Sequence, residues 1–390
     1  MRVFVIPSWF PPDGGSFFLE QSIVLNEVAE EIVLYIEPIS IRKLFKNPFL
    51  IKKLFSIQEE MVDRLKIIRG YKLRIPKLFL PNLYIEKFAY LKLYKYALKK
   101  YGKPDLIHVH SSIWGGWYAY WIKKIHNIPY IITEHRGRFV NNKYAKSFNQ
   151  LPTTFDKYLN KIFSNATFIL PVSDAMVNKI NAYSSNRNIF SIPNLVNERL
   201  FYYEELQKNK TFTFISVAGL IPLKGIDILI NAFKKLIDKN IDAKLIIIGD
   251  GSEIKKLKKL TTKLRLNNKV NFLGKRDREE VAKYMKSSHV FVLPTKYEAF
   301  GVVFIEALSC GIPIISTKSS GGPDSIVNEK NGLLVEIGNV EELAKAMEHL
   351  YKNYSKYNNF EIAKEAKQKY GKESFKKVYD EVYKKVLNES

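Results

Sequence analysis

Residues 289–317 read HVFVLPTKYEAFGVVFIEALSCGIPIIST, and this stretch decides the fold. The apolar runs His289–Leu293 and Ile312–Ser316 predict buried strands, and the spacing between them predicts a helix over 303–310. A strand, a helix and a second strand in this order are typical of a parallel sheet covered by helices. Ligands bind at the carboxyl ends of strands in such sheets, so the loop over 294–302 is expected to belong to a site.

Two glutamates, Glu298 and Glu306, stand eight residues apart in this stretch. Between them, Gly301 would let a ligand approach the backbone, and the helix that follows offers free N–H groups and a positive dipole end to a phosphate. Two carboxylates can accept hydrogen bonds from sugar and ribose hydroxyls. Taken alone, such a pair is more typical of solvated side chains that flank a helix, so the surrounding sequence has to decide.

Strands and helices alternate along the whole chain in two series. The first series runs from a strand at Val3–Ile6 to one at Ile189–Ile192, and the second from Thr211–Val217 to Leu333–Val335. The polar, unpatterned stretch 195–210 separates them. Alternation of this kind predicts an α/β protein with parallel sheets covered on both faces.

We therefore expect two Rossmann-like, doubly wound domains that face each other across a cleft. The amino-terminal domain is predicted over 1–200 and the carboxyl-terminal domain over 201–371. The Lys-rich amphipathic segment 372–390 has no strand after it, and it is predicted to be a helix that packs back across the domain junction towards the amino-terminal domain.

The composition excludes several classes of protein. The 390 residues include 62 Lys and Arg against 39 Asp and Glu, a formal net charge of +23, and 46% are hydrophobic, which excludes a disordered tail. The single Cys310 excludes a disulfide scaffold and Cys-rich metal sites, which suits a reducing compartment. No apolar run approaches the roughly 20 residues of a membrane span. The first apolar run stops at Pro7, so no signal peptide is expected and the protein is predicted to be cytoplasmic.

Residues 42–103 hold nearly all the excess charge of the first half, with 17 Lys and Arg against four acidic residues, and eleven aromatic residues. At their start, the segment IRKLFKNPFLIKKLF (41–55) interleaves cationic and large apolar side chains, as helices at an anionic membrane surface do. Pro48 predicts two short helical pieces. The alternatives are a core helix with a solvated lysine face and a nucleic-acid interface, of which the second has no recognisable motif. We expect an anionic membrane surface as partner and no nucleic acid.

Metal ligands do not form a recognisable set. His108 and His110 are two residues apart on one predicted strand and so face one side, but no third ligand is recognisable. No Asp-x-Asp pair occurs in the chain, which argues against metal-dependent sugar-nucleotide binding. We therefore expect neither a metal ion nor another cofactor.

The stretch EAFGVVFIEALSCGIPIIST (298–317) resembles the donor-site signature of the family 4 retaining glycosyltransferases, which have the GT-B fold. Other segments, spread over about 330 residues, are similar to the same family, densely in the second half and more loosely in the first. In the second half these are TFISVAGLIPLKG (213–225), IIIGDGSEIKKL (246–257), VNFLGKR (270–276), GGPDSIV (321–327) and NGLLV (331–335). In the first half they are PPDGGSFFLEQ (11–21), HVHS (108–111), ITEH (132–135) and IPN (192–194).

The resemblance implies roles for individual residues of the second half. Glu306 resembles the residue that holds the donor ribose, and Glu298 the one beside the donor sugar hydroxyls. Lys224 resembles the lysine at the donor diphosphate, where an ammonium group stabilises the charge that develops on the leaving group. The backbone amides implied to meet sugar and diphosphate are those around Phe300, Gly301 and Val302.

In the first half, Gly14 and Gly15 resemble the glycine pair that lets the diphosphate approach the backbone. His135 matches the family histidine near the reacting sugar, and its ordinary pKa permits either protonation state there. Arg136 and Arg138 follow it and could either meet an anionic acceptor or be solvated.

The chain departs from the family pattern at three places. Gly219, still expected at the donor site, stands where many relatives carry an arginine that clamps the diphosphate. Lys224 then acts with backbone help alone, or Lys275 or Arg276 supplies the missing cation. The milder departures are Asp324, where relatives often carry Glu, and Leu195–Val196–Asn197, where Gly-Val-Asp is commoner.

The resemblance implies a retaining, metal-independent hexosyltransferase that uses a nucleotide-diphosphate sugar, either a UDP- or a GDP-sugar. It implies front-face attack by an acceptor hydroxyl, with the leaving diphosphate helping to remove the proton. Because residues 42–103 lie in the acceptor domain, we expect a lipid-linked saccharide acceptor, in surface polysaccharide or glycolipid synthesis, at the inner face of the membrane. A GT-B epimerase or phosphorylase and a basic nucleic-acid-binding protein are the alternatives.

Overall fold

A computed structural model of the chain describes residues 1–11, 14–76, 78–140, 156–185, 188–205, 207–319 and 321–388. Two sheets, each with helices on both faces, form two α/β units, so the predicted fold class is confirmed. All helices of the described residues fall short of the combined length and apolar character that crossing a membrane requires.

The first unit contains a seven-stranded sheet in the order β3-β4-β2-β1-β5-β6-β7. Its strands are β1 (Arg2–Pro7), β2 (Glu30–Ser40), β3 (Ile57–Val62), β4 (Leu65–Arg74), β5 (Leu106–His110), β6 (Tyr130–Glu134) and β7 (Phe168–Pro171). Its helices are α1 (Ser16–Leu25), α2 (Ile41–Lys46), α3 (Phe79–Tyr101), α4 (Trp117–His126), α5 (Asp156–Ser164) and α6 (Val177–Asn181). Every strand runs parallel to its neighbours except β3, which pairs antiparallel with β4 at the edge.

The second unit contains a six-stranded parallel sheet in the order β10-β9-β8-β11-β12-β13. Its strands are β8 (Phe212–Val217), β9 (Ala243–Ile248), β10 (Val270–Gly274), β11 (Val290–Val292), β12 (Ile314–Thr317) and β13 (Gly332–Val335). The helices that follow in the chain are α7 (Ile226–Asp238), α8 (Ile254–Lys263), α9 (Arg278–Ser287), α10 (Val302–Ser309), α11 (Gly322–Ile326), α12 (Val340–Asn353), α13 (Asn359–Tyr370) and α14 (Lys372–Asn388).

The order of the strands reverses between β1 and β5 in the first sheet and between β8 and β11 in the second. At such a reversal the loops that follow the two strands diverge to opposite faces and leave a crevice where ligands bind. The loops after β8 and β11 carry Lys224 and Glu298, and the loop after β1 carries Gly14 and Gly15. The topology thus directs these predicted site residues to crevices at the carboxyl ends of the strands.

One expectation about local structure needs correction. Residues Ile189–Ile192 do not form a strand, because they run beside the edge strand β7 and share only the single bridge between Ile169 and Ile189. The expected two pieces around Pro48 exist as α2 and a 3₁₀ helix at Pro48–Phe55. After them the chain continues into the β3–β4 hairpin.

Helix α14 is packed on the first unit, although it follows the second unit in the chain. Tyr383 Oη donates a hydrogen bond to Glu31 Oε1 at 2.8 Å and lies 2.9 Å from His108 Nδ1. The connection into α14 runs beside the linker between the units, where Val196 N donates to Tyr370 O at 2.9 Å. The chain therefore crosses between the two units twice, and the two crossings lie side by side.

Burial of Glu31 under α14 gives the stability of the protein a pH dependence. Burial raises the pKa of Glu31 to about 8. The folded protein therefore keeps this proton up to about pH 8, whereas the unfolded chain releases it near its usual pKa of 4.5. Rising pH therefore favours the unfolded chain, and the free energy of unfolding falls by on the order of 4 kcal/mol between pH 5 and pH 8.

We expect the Glu31→Gln variant to lack this loss. The difference between its free energy of unfolding and that of the wild type should therefore shift in favour of the variant as the pH rises from 5 to 8. Urea unfolding at several pH values measures the difference. Glu381→Gln, a change at an exposed position of α14, is the matched control and should follow the wild type. Parallel curves for Glu31→Gln and the wild type would contradict the assignment of this proton.

Candidate active site in the cleft

The loops at the carboxyl ends of the two sheets contact each other. Ser173 Oγ, just after β7, donates a hydrogen bond to the carbonyl oxygen of Ala299 at 2.8 Å. A Cβ atom placed on Gly137 would lie 1.5 Å from Tyr297 Oη, so these two residues are packed together. The residue before Glu298 therefore touches the segment that follows β6.

The loop after β11 has a shape that depends on Gly301. This residue has φ 86° and precedes α10, whose first turn has no side-chain cap. A Cβ atom on Gly301 would lie 2.4 Å from the Phe304 ring and 2.9 Å from Glu298 Cγ. The backbone N–H groups at the start of α10 are thus left for a ligand, and no side chain at residue 301 stands in front of them.

A second loop supports this one from behind. Gly322 N donates to the Glu298 carbonyl at 3.3 Å, and a Cβ on Gly322 would lie 1.8 Å from the Phe300 carbonyl oxygen. A Cβ on Gly321 would lie 1.9 Å from the Glu298 carbonyl oxygen. The carboxylate of Asp324, one of the departures from the family pattern, accepts a hydrogen bond from Gly321 N at 3.1 Å. Backbone packed on backbone therefore positions Glu298.

Lys224 and Glu298 form an ion pair, and each side chain keeps about a fifth of its surface exposed, at 19%. Lys224 ends a short 3₁₀ turn before Gly225, where φ is 66° and a Cβ would lie 2.2 Å from the Pro294 carbonyl oxygen. Lys296 N donates to the Leu223 carbonyl at 2.8 Å. The loops after β8 and β11 are thus joined by their backbones, which brings the ammonium group to the carboxylate.

Glu306 lies in α10 with its carboxylate against Arg278, the first residue of α9. Arg278 Nη2 is 2.5 Å from Glu306 Oε1, and Arg278 Nη1 is 2.8 Å from Glu20 Oε1 of the first unit. Burial raises the pKa of Glu306 to about 7, against the opposing effect of Arg278. Sequence reasoning did not identify Arg278 or Glu20 as members of the site. The available signal was the position of Arg278 just after the carboxyl end of β10.

Gly219 is exposed, and a Cβ atom there would meet nothing within 4 Å. Of the two cations proposed to replace the missing arginine, Arg276 pairs with Glu280 at 3.1 Å, and Lys275 is exposed. Space for an arginine side chain therefore exists at residue 219.

We expect Gly219→Arg to bind UDP about 3- to 10-fold more tightly than the wild type, because a guanidinium group there adds charge-assisted hydrogen bonds to a diphosphate. Isothermal titration calorimetry checks this. Gly219→Gln adds a side chain without the charge and should change the affinity much less. Equal affinities for the arginine variant and the wild type would show that residue 219 does not face the diphosphate.

Gly14 and Gly15 lie in the loop before α1, beside Trp9. Gly15 has φ 75°, and a Cβ there would lie 2.8 Å from the Trp9 carbonyl oxygen and 2.9 Å from Trp9 Cδ1. Gly14 has φ 110° and is exposed. Both positions therefore demand glycine, and α1 starts without a side-chain cap on its N–H groups.

His135 follows β6 and is buried between Phe17 and Phe18, whose ring centroids lie 5.3 and 4.7 Å away. Its Nε2 atom lies 3.2 Å from His110 Nδ1, and its Nδ1 atom has no hydrogen-bond partner among the described residues. Burial lowers the pKa of His135 well below its usual range. The side chain is therefore a neutral imidazole near pH 7, whereas the sequence left its protonation state open.

His108 and His110, the two histidines of β5, are within hydrogen-bond distance of neighbouring side chains. His108 contacts Tyr383 Oη through Nδ1 and Thr133 Oγ1 through Nε2, at 2.9 and 2.7 Å. His110 contacts His135. Within the described ranges, no three His, Cys, Asp or Glu side chains are grouped as metal ligands.

In the structure, Lys224 pairs with Glu298 and Glu306 pairs with Arg278. The segment that carries His135 reaches the same cleft, since Gly137 packs against Tyr297, the residue before Glu298. Carboxylates, one ammonium group and the uncapped starts of α1 and α10 suit a ligand that carries both hydroxyl groups and a diphosphate.

Comparison with known sequences places both halves of the chain in families. The model described as "Glycosyl transferases group 1" matches residues 201–368, and that described as "Glycosyltransferase Family 4" matches residues 54–200. An uncharacterized glycosyltransferase of Methanocaldococcus jannaschii is 30% identical over 71% of this chain and 76% of its own length. The N-acetyl-alpha-D-glucosaminyl L-malate synthase of Bacillus anthracis is 25% identical over 83% of this chain and 89% of its own.

Solved structures of similar fold cover the whole chain. Sucrose-phosphate synthase from Thermosynechococcus elongatus superposes with a TM-score of 0.78 at 20% identity, over 100% of both chains. An Anabaena protein in complex with UDP-glucose superposes with a TM-score of 0.73 at 18% identity, over 98% of this chain and 99% of its own. These similarities confirm the GT-B fold. The chain is a glycosyltransferase that belongs to the group 1 glycosyltransferases of family 4.

Proposed function

We propose that this protein is a retaining, metal-independent hexosyltransferase that moves a sugar from a UDP- or GDP-sugar to the hydroxyl of a lipid-linked saccharide. The observation that carries the proposal is the Lys224–Glu298 ion pair beside the uncapped start of α10. It joins a cation suited to a diphosphate with a carboxylate suited to sugar hydroxyls. The Anabaena protein, crystallised with UDP, with UDP-glucose, and with UDP and glucose, supports a nucleotide-sugar donor.

The proposed chemistry relies on electrostatic stabilisation. The ammonium group of Lys224 and the N–H groups at the start of α10 would meet the charge that builds up on the leaving diphosphate. Glu298 would accept hydrogen bonds from the donor sugar, and Glu306 from the ribose. Neutral His135 has its Nδ1 atom available for a hydroxyl of the sugar or the acceptor. A diphosphate oxygen on the same face as the attacking hydroxyl would take its proton, which is consistent with retention.

The membrane part of the proposal rests on a surface of the first unit made by α2 and the 3₁₀ helix that follows. Neither element has a buried residue. Phe45, Phe49 and Phe55 keep 84%, 77% and 74% of their surface exposed. Apolar rings among lysines suit the headgroup layer of an anionic membrane, which here would be the cytoplasmic face.

An apolar cavity of about 320 Å³ lies beside this surface. Phe55 from the 3₁₀ helix and Phe88 from α3 line it together with Ile57 and Leu93, and Lys72 is also among the lining residues. A cavity of this character, next to exposed aromatic rings, suits the hydrocarbon chain of a lipid-linked acceptor.

A thermal-shift panel of nucleoside diphosphates and nucleotide sugars tests the donor, because a ligand that binds only the folded protein raises its melting temperature. The sugar nucleotide that raises it most is then incubated with lipid extract, and ¹H NMR of the product determines the anomeric configuration. Inversion at the anomeric carbon would overturn the retaining mechanism. Release of an epimerised free sugar without acceptor would identify an epimerase instead.

Liposome sedimentation tests the membrane surface. We expect the wild type to bind vesicles with phosphatidylglycerol more strongly than neutral ones, and the Phe45→Ser/Phe49→Ser/Phe55→Ser variant to bind neither. Phe360→Ser is the matched control, since Phe360 is also exposed, at 55%, but lies in α13. Equal binding to neutral and anionic vesicles would overturn the proposal.

A further inference from the structure

We propose that Arg136 and Arg138 form a subsite for a phosphate group of the acceptor, next to His135. This inference rests on the proposed function and specifies its acceptor. Both residues follow β6, and Arg136 is the immediate neighbour of His135. The subsite consists of the guanidinium groups of these two arginines.

The guanidinium group of Arg136 is held against Trp9, and its Nε atom has no acceptor in the part of the chain that the structure describes. It lies 4.9 Å from the centre of the Trp9 ring, on the side of the loop that contains Gly14 and Gly15. Its Nε atom is buried, and no described residue accepts a hydrogen bond from it. A buried N–H group without an acceptor is costly, so the side chain suits a ligand that supplies the acceptor.

Arg138, two residues further along the chain, carries a second guanidinium group. Its Nη1 atom is buried and likewise has no acceptor among the described residues, while Nη2 lies 3.5 Å from Asp156 Oδ1. The charge of Arg138 also contributes to the lowered pKa of Arg136, for which burial is the largest cause. Two like charges held near each other are stabilised by an anion between them.

The carboxylates near Arg136 are already engaged by other groups. Glu134 accepts hydrogen bonds from Ser112 N and from the backbone N of Arg136, both at 2.8 Å. Glu86 forms a buried ion pair with Lys72. The negative charge of each carboxylate acts to raise the pKa of Arg136, but among the described contacts neither carboxylate forms a hydrogen bond with its guanidinium group.

The number of donors favours phosphate over carboxylate. Each guanidinium group presents paired N–H donors that match two oxygens, and a diphosphate that joins lipid to saccharide keeps four unesterified oxygens, enough for two such pairs. A carboxylate has two oxygens and would leave one arginine unpaired.

The position of this subsite also fits the order of groups in a lipid-linked acceptor. Lys72 lines the apolar cavity near Phe55 and pairs with Glu86, and Glu86 is near enough to Arg136 to affect its pKa. His135 is the residue before Arg136, and its ring lies against Phe17 and Phe18. A hydrocarbon chain in the cavity would therefore be followed by phosphate at the arginines and by the reacting saccharide at His135.

Inorganic phosphate is the probe that tests the subsite. Protein saturated with UDP, so that the donor site is filled, is titrated with phosphate at constant ionic strength and followed by ³¹P NMR. We expect Arg136→Met and Arg138→Met each to weaken phosphate binding about 10-fold or more, and Arg136→Lys to weaken it less. Arg199→Met removes a surface arginine of the same charge, with 79% of its side chain exposed, and should leave binding unchanged.

Three outcomes would overturn the subsite: no phosphate binding to the UDP-saturated wild type, equal binding by the methionine variants and Arg199→Met, or tighter binding of acetate than of phosphate. Melting temperatures and UDP affinities of all variants show that they are folded. Failure of the wild type to bind UDP would overturn the proposed function, whereas the comparison among arginine variants reports on the subsite alone.

Discussion

Lys224→Met is expected to lower kcat by about 10²-fold or more while changing the affinity for UDP-sugar far less. The ammonium group acts on charge that exists mainly in the transition state, and loss of one such contact costs roughly 3 kcal/mol of activation free energy. The partner Glu298 is left without its cation, so the melting temperature has to be measured beside the steady-state kinetics. Glu298→Ala should produce a loss of similar size.

Because the two side chains form one ion pair, their effects should not add. The Lys224→Met/Glu298→Ala double variant is expected to lose little more activity than either single variant. Lys235→Met, which removes the surface pair between Lys235 of α7 and Glu341 of α12, is the matched control and should keep full activity. A wild-type rate for Lys224→Met would refute the assigned site.

Gly322→Ala is expected to displace the loop that carries Glu298. The added methyl group would lie 1.8 Å from the Phe300 carbonyl oxygen and 2.3 Å from its carbonyl carbon, which are backbone atoms and cannot rotate away. The loop that carries Glu298 then has to move, and a displacement near 1 Å at a positioned catalytic group costs about 10²-fold in rate. We expect kcat/KM to fall by this amount and UDP-sugar binding to weaken.

Gly338→Ala separates this effect from a general loss of stability. A Cβ at Gly338 meets nothing within 4 Å, but φ is 78°, so alanine costs about 1 kcal/mol of backbone strain there. Gly338 lies between β13 and α12, away from the Glu298 loop. The control should therefore melt at a lower temperature and retain donor affinity. Unaltered kinetics for Gly322→Ala would show that this loop does not position Glu298.

The second sheet was readable from the sequence because its strands are continuous apolar runs. Ala243–Ile248 was predicted by its pattern and forms β9 with the same bounds. Lys224 and Glu298 could be placed near each other as well, since both follow strands of one parallel sheet. The pattern of apolar runs was therefore enough to predict which strands precede the loops of Lys224 and Glu298.

The first sheet was harder to read because charged residues lie inside it. Arg69, in β4, is 6% exposed and pairs with Glu60 at 2.8 Å and Glu37 at 3.2 Å. A buried arginine neutralised by two carboxylates looks, in sequence, like a residue of a solvated surface. For this reason β3 and β4 fall in a stretch, residues 42–103, that was interpreted by its charge and its aromatic content and not as strands.

The Arg278 contacts could not be predicted for a different reason. Arg278 meets Glu306 and Glu20, and Glu20 is 258 residues away in the chain. Such a contact depends on how the two units are oriented, and no local pattern encodes that orientation.

The return of α14 to the first unit gives the protein two covalent connections between its units. The linker and the start of α14 run side by side, joined by the Val196–Tyr370 hydrogen bond and by Lys372 N donating to Glu198 Oε2 at 2.7 Å. Two chain segments that cross between the units side by side resist twisting and sliding of one unit against the other. They still allow the units to bend about the axis that passes through both segments. Opening and closing of the cleft should therefore follow a single hinge coordinate, along which Arg278 parts from Glu20 as the units separate.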